Sequence, residues 1–147
     1  MIRTICMHRV LREAVATPYR NLVTRATGAA VRDRIEAALR SSPCAIALLD
    51  FSEVELLDFS CADEIVAKLM QSAAEPERVV VLIGVREEQR EALEHVLAHH
   101  RLAVVARLHG SGAPELLGWA TPAAREAFAA LRARGAGLDD LARLALS

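Results

Sequence analysis

One hydroxyl group lies where another protein could reach it. In the run Leu48-Leu49-Asp50-Phe51-Ser52-Glu53-Val54-Glu55-Leu56-Leu57-Asp58-Phe59-Ser60-Cys61-Ala62-Asp63-Glu64, an apolar strand runs into an acid. A short apolar link follows, and Asp58 and Ser60 then mark a helix start. Two chemistries fit Ser60. As an N-cap, its oxygen accepts from the amide of Ala62 or Asp63, worth roughly 1 kcal/mol, with Asp63 completing a weak capping box. As a phosphoacceptor it gains roughly −1.5 to −2 charges. A partner docked against Asp58, Asp63 and Glu64 would feel that charge as repulsion.

Three other constellations could do chemistry. Arg25, Thr27 and Gly28, in Thr24-Arg25-Ala26-Thr27-Gly28, combine a cation with the amides of a helix start, which suits a phosphate. The plainer expectation, and the favoured one, is Thr27 as N-cap and Arg25 as a surface charge. His95, His99 and His100 lie near one helix end, and His95 and His99 have the i, i+4 spacing that can hold zinc. No third ligand and no HExxH-type acid accompany them, and histidines near a helix C-terminus also suit its dipole. No metal and no cofactor are therefore expected. Cys61 lies at a helix start, where thiols are often acidified. Asp58 and Asp63 oppose that effect, so a packed, inert thiol is expected. With no nucleophile–base pair and no metal set, the chain is not expected to be an enzyme.

The elements that position these residues follow from hydrophobic spacing. Residues 3–10 are mixed and could start as a strand, and Thr17-Pro18 is a break. Residues 21–25 alternate as a half-buried strand does. A helix opens at Thr27-Gly28, with Ala30, Val31, Ile35, Ala38 and Leu39 at helical spacing, and ends at Ser41-Ser42-Pro43. Residues 44–49 form an unbroken apolar run, the mark of a strand buried on both faces. A helix over about 61–72 carries the stripe Ala62, Ile65, Val66, Leu69 and Met70. A loop at 75–78 leads to a second central strand over 79–83, where Gly84 turns the chain. A helix over 87–99 buries Ala92, Leu93, Val96 and Leu97 and crowds acids into its first turn. Residues 102–106 are a further strand. The order β, β, α, β, α, β, α, β predicts an α/β fold with a mainly parallel or mixed sheet of four to five strands and covering helices.

The segment 44–70 resembles the STAS domain, the fold of bacterial anti-sigma-factor antagonists. In that family a buried strand ends in Asp, and a link leads to an Asp-Ser-Ser or Asp-Ser-Thr corner whose second hydroxyl is phosphorylated. Asp58-Phe59-Ser60 occupies that corner here, with Ser60 at the phosphoacceptor position and Cys61 in place of the family's glycine. The pattern is closer still to a STAS-like family of unknown function with a Ser-Ser-Phe-Ala-Asp-Glu corner. Phe59-Ser60-Cys61-Ala62-Asp63-Glu64 keeps its second Ser and its Ala-Asp-Glu, and Arg25 to Gly28 matches its Arg-x-x-Gly. The resemblance covers about residues 20–107. It implies a regulatory module that binds an anti-sigma factor or a histidine-kinase-like ATPase through Asp58, Phe59, Ser60, Cys61, Asp63 and Glu64.

Composition narrows the remaining classes. The 147 residues suit one compact unit with an appendage. Aromatics at 3% leave too few rings for a base-stacking platform, and a net charge of −1 without a basic block argues against phosphate-backbone binding. Three scattered cysteines without a CxxC pair, and no signal peptide, fit reduced thiols in the cytoplasm. No apolar stretch is long enough for a bilayer. After His109-Gly110-Ser111-Gly112 the character changes. Thr121-Pro122 opens a helix to about residue 134, Gly135-Ala136-Gly137 breaks it, and a last helix covers 138–146. The expected organisation is an α/β domain over 1–109 and a helical hairpin over 113–147, packed on the domain or used in a homodimer. That hairpin resembles the first two helices of a helix-turn-helix, so a DNA-associated transcriptional regulator is the alternative. The chain stops where a recognition helix would begin, and 120–147 carries four Arg against three acids.

Overall fold

A computed structural model describes residues 2–15, 21–41, 45–71, 79–110 and 112–144. The expected break at Thr17-Pro18, the helix end at Ser42-Pro43, the strand start at Cys44, the loop at 75–78, Ser111 and the helix end beyond residue 144 lie outside the described residues.

The elements in order are β1 (Ile2–Cys6), α1 (Met7–Val15), β2 (Asn21–Leu22), α2 (Arg25–Ser41), β3 (Ile46–Asp50) and β4 (Leu56–Leu57). There follow α3 (Phe59–Ala62), a π-helical turn (Asp63–Ala67), α4 (Lys68–Gln71), β5 (Val79–Val85), α5 (Glu87–His99), β6 (Ala103–Leu108), β7 (Pro114–Gly118), α6 (Pro122–Ala133) and α7 (Leu138–Leu144). The fold is α/β. Five strands form one mixed sheet in the order β1-β3-β5-β6-β7, parallel except where β7 runs antiparallel to β6. β2 and β4 form a separate two-residue parallel pair.

Alternation along the strands separates two cores. Ala47, Leu49, Leu82, Val104, Ala106 and Leu117 face α1, α2, the 59–71 helical run and α5. Ile46, Val79, Val81 and Val105 face the other way, where Phe128 of α6 and Leu141 and Ala142 of α7 cover them. The C-terminal helices thus spend their apolar residues on the sheet. Thr121 caps α6 as expected, its Oγ1 accepting from the Ala124 amide at 3.1 Å.

The strand start expected in residues 3–10 is β1, and the chain turns helical at Met7, where Met7, Val10, Leu11 and Ala14 recur at a spacing of three and four. Three expectations are corrected. The strand expected over 21–25 is only two residues long, since α2 begins at Arg25 rather than at Thr27-Gly28. Gly84 does not end its strand. With φ of +68° it forms a bulge inside β5, and a Cβ there would sit 2.8 Å from the Ser52 amide nitrogen. Residues 114–118 are strand, not hairpin, so the sheet runs on past residue 109. Pro114 is tolerated because it opens an edge strand.

Candidate functional site

The corner at 58–64 is built by one carboxylate. Asp58 enters from β4, its amide donating to Leu22 O at 3.0 Å across the small parallel pair. Its Oδ1 then accepts from the Cys61 amide at 2.8 Å, which makes Asp58 the N-cap of α3. Ser60 is therefore not the cap. It lies two residues too late, at the second helical position, partly exposed. Asp63 does not complete a capping box either, because its oxygens go to Arg25 and His100.

The second carboxylate oxygen reaches the start of α2, accepting from the Thr24 amide at 2.9 Å. Thr24 has φ of +71°, a left-handed conformation that a β-branched residue rarely adopts. Its remaining groups are also held. Thr24 O accepts from Gly28 N and from the Cys61 thiol at 3.0 Å, and its Oγ1 accepts from Thr27 N at 3.4 Å. The cap of α2 is thus Thr24, not Thr27.

Behind the corner lies an ionic cluster. Glu64 is 4% exposed, carried inward by the π-helical turn, which also buries Ile65, Val66 and Ala67. Its carboxylate meets Lys68 Nζ at 2.6 Å, Arg25 at 2.7 Å and Arg32 at 3.0 Å. Asp63 meets the same Arg25 at 2.8 Å and His100 Nε2 at 2.7 Å. Burial raises the proton affinity of both carboxyls. The hydrogen bonds outweigh it: Lys68, then Arg25, hold Glu64 below its ordinary range, and Arg25 and His100 do so for Asp63. α2 can approach this closely because Gly28 has no side chain. A Cβ there would lie 2.9 Å from Glu64 Cβ and 3.2 Å from Cys61 Cα.

At the candidate anion site, Arg25, Thr27 and Gly28, the donors are engaged within the chain. The anions Arg25 holds are Asp63 and Glu64, the Thr27 and Gly28 amides are bonded to Thr24, and Gly28 is buried under Glu64. Cys61 and Glu64, expected among the partner contacts, are buried, so they position the corner without lining it. The Cys61 thiol is pushed up to about 12 by burial and then by Asp58, which leaves it protonated at neutral pH.

Phe59 is what the corner presents outward. It is 50% exposed and stacks on His95 of α5, ring centroids 4.9 Å apart and planes 28° from parallel. Leu56, just before the cap, is 54% exposed. His95 and His99 do not converge on a common point: His95 lies on Phe59, and His99 packs edge-on to His100. Among the described residues no group of three or more His, Cys, Asp or Glu could hold a metal ion, and no helix is long and apolar enough to cross a membrane.

Arg32, Lys68 and His100 belong to this constellation and were not expected from the sequence. The spacing of Arg25, Gly28 and Arg32 along one helix face, and of Glu64 and Lys68 along another, was the available signal. No family model, no curated protein and no solved structure matches the chain.

Proposed function

We propose that this chain is a non-enzymatic regulatory module of the STAS type that binds a partner protein through the corner at 58–64. One observation carries the proposal: half of the Phe59 side chain is in water, although the corner beneath it is fixed by the Asp58 cap, the Thr24 link and the Glu64 cluster. Exposed aromatic residues on a preorganised support are the usual anchors of protein interfaces, because docking removes apolar area from water at little ordering cost. Phe59, Ser60 and Leu56 form the contact surface. Cys61, Asp63 and Glu64 hold it in shape.

The resemblance of Asp58-Phe59-Ser60 and Ala62-Asp63-Glu64 to STAS-like corners supports an anti-sigma factor or a histidine-kinase-like ATPase as partner, in the cytoplasm. Ser60, next to Phe59 and freed from capping by Asp58, is the phosphoacceptor. A phosphoryl group there changes partner occupancy, in a direction set by the partner's charge.

The experiment is affinity capture from the native host with wild type, Phe59→Ala, Ser60→Ala and Ser60→Asp, each checked for an unchanged circular dichroism spectrum. The proposal expects Phe59→Ala to lose a specific partner and the Ser60 pair to differ in the amount retained. An identical bound set for wild type and Phe59→Ala would refute the corner as a binding site.

A further inference from the structure

The chain has one tryptophan, Trp119, and it is 45% exposed. Trp119 follows β7, and its amide donates to Leu102 O at 2.9 Å. Arg101 and Leu102 close the C-terminus of α5 in a Schellman turn, with Leu102 N on Leu97 O at 2.8 Å and Arg101 N on Ala98 O at 3.1 Å. Arg101 takes the left-handed position of that turn, with φ of +57°, where glycine would cost less. The side chain that glycine would lack has its guanidinium over the indole, 5.8 Å from the ring centroid. A second guanidinium flanks the same residue, because Arg125 Nη2 donates to Gly118 O at 2.7 Å. The carbonyl and the N–H of a trans peptide point in opposite directions, so Arg125 and Leu102 lie on opposite sides of the Gly118–Trp119 peptide.

Arg101 and Arg125 are exposed, and among the described residues neither forms an ion pair. Glu94 also reaches this segment, but its Oε2 accepts from Gly118 N at 2.9 Å and its Oε1 lies 4.0 Å from Arg90. Glu126 lies about 100° further round α6 than Arg125. The first turn of α6 holds no acid, and the positive end of its dipole adds to the sign of the two cations.

We infer that Trp119, Arg101 and Arg125 form a second interaction surface, whose occupant is a short acidic segment of a partner protein. An apolar residue of the segment covers the indole, and Asp or Glu side chains beside it pair with the two guanidinium groups. Tryptophan and arginine are the residue types that most often carry interface energy. A nucleic-acid strand matches this surface less well, since there is a single ring to stack on and the chain's net charge of −1 opposes a polyanion.

Because no other tryptophan is present, the emission of Trp119 reads this surface alone. The probe is a peptide of Glu and Leu without Trp or Tyr, set against its Lys and Leu counterpart and against oligothymidylate, each titrated into the full chain. The Glu peptide is expected to move the emission to shorter wavelength and to saturate, and the Lys peptide to leave it unchanged. Arg125→Gln, and Arg101→Asn, which suits the left-handed backbone, should each weaken the Glu peptide about threefold at low salt and less at high salt. Trp119→Ala, followed by anisotropy of a labelled Glu peptide, should weaken it about tenfold. Phe59→Ala should leave the titration unchanged, so failure of this surface and failure of the corner are read separately. No spectral change with the Glu peptide, an equal change with the Lys peptide, an affinity unmoved by both arginine substitutions, or tighter binding of the oligonucleotide would overturn the inference.

Discussion

Asp58 ties the start of α3 to Thr24, 34 residues upstream, through a 2.9 Å bond from the Thr24 amide to Asp58 Oδ2. The other oxygen of the same carboxylate caps α3. Removing this side chain therefore frees two helix starts at once. A lost N-cap costs about 1 kcal/mol and a hydrogen bond to a charged group about 1.5–3 kcal/mol. Asp58→Ala is expected to lower unfolding free energy by about 2–3 kcal/mol in urea titration. Asp58→Asn, which can keep the accepting oxygen for Cys61 but puts a donor toward Thr24 N, should fall between. A loss no larger than that of a single cap would mean the Thr24 link contributes nothing. Thr24 supplies the converse test. Its left-handed backbone suits Asn, which also caps helices, so Thr24→Asn should gain about 0.5–1 kcal/mol in the same titration.

Gly28 sets how closely α2 crosses the corner. Alanine in mid-helix ordinarily gains about 1 kcal/mol over glycine. Here the new methyl would meet Glu64 Cβ at 2.9 Å and the Cys61 backbone at 3.2 Å, and that backbone cannot swing aside. Overpacking of this kind costs about 1–3 kcal/mol. Gly28→Ala is expected to be net destabilising, by about 1 kcal/mol, with the shift seen in the denaturation midpoint rather than in its slope. A more stable variant would show that the two helices can part without loss.

How much of this was legible follows from what each segment buries. The central strands and α5 could be read because a strand covered on both faces is an unbroken apolar run, and because Glu87 and Glu88 open the helix they favour. α1 could not, since only Met7 and Leu11 of its nine residues are fully buried. β7 is an edge strand whose first residue is proline and whose second is Glu115, so it carries almost no strand signature. At the corner, Asp58 and Ser60 are both good N-caps, and local sequence does not choose between them. The choice is made by the Thr24 amide from another element. Glu64 looked like a surface acid for the same reason: its burial depends on Arg25 and Arg32, which arrive from α2.

The ionic cluster makes acid stability depend on Glu64. Its ordinary value is 4.5 and that of Asp63 is 3.8, and both are lowered in the fold. A lowered folded value means the unfolded chain takes up protons first. The stabilisation is complete above the ordinary values and is lost as pH falls through the lowered ones. Wild type should therefore lose stability as pH falls below the ordinary value of 4.5. Glu64→Gln should remove part of that slope. At neutral pH the variant should be less stable by about 2 kcal/mol. That is below the usual cost of about 3–5 kcal/mol for breaking a buried pair, because Arg25 and Lys68 can turn back into water. Urea titrations across this range test both points. An acid limb equally steep in Glu64→Gln would locate the acid sensitivity elsewhere.

Ser60→Asp tests the sign of the proposed switch. Repulsion of a partner from Asp58, Asp63 and Glu64 is what the sequence alone suggests, but Asp63 and Glu64 are neutralised within the chain by Arg25, Arg32 and Lys68. The α5 charge beside Phe59 is that of Glu88 and Glu91, both exposed and on the same helix as His95, and a negative group at Ser60 adds to it. For a cationic segment the added charge is attractive. One unit charge about 8 Å from another in water contributes about 0.5 kcal/mol, a little over twofold in affinity. A cationic partner segment should therefore bind Ser60→Asp about twofold tighter than Ser60→Ala at low salt, and the difference should vanish at high salt. Phosphorylation, with nearly twice the charge, should do more in the same direction. Weaker binding to Ser60→Asp would mean that the group acts by blocking Phe59 rather than by charge, and Ser60→Gln, similar in size but neutral, would then weaken binding as well.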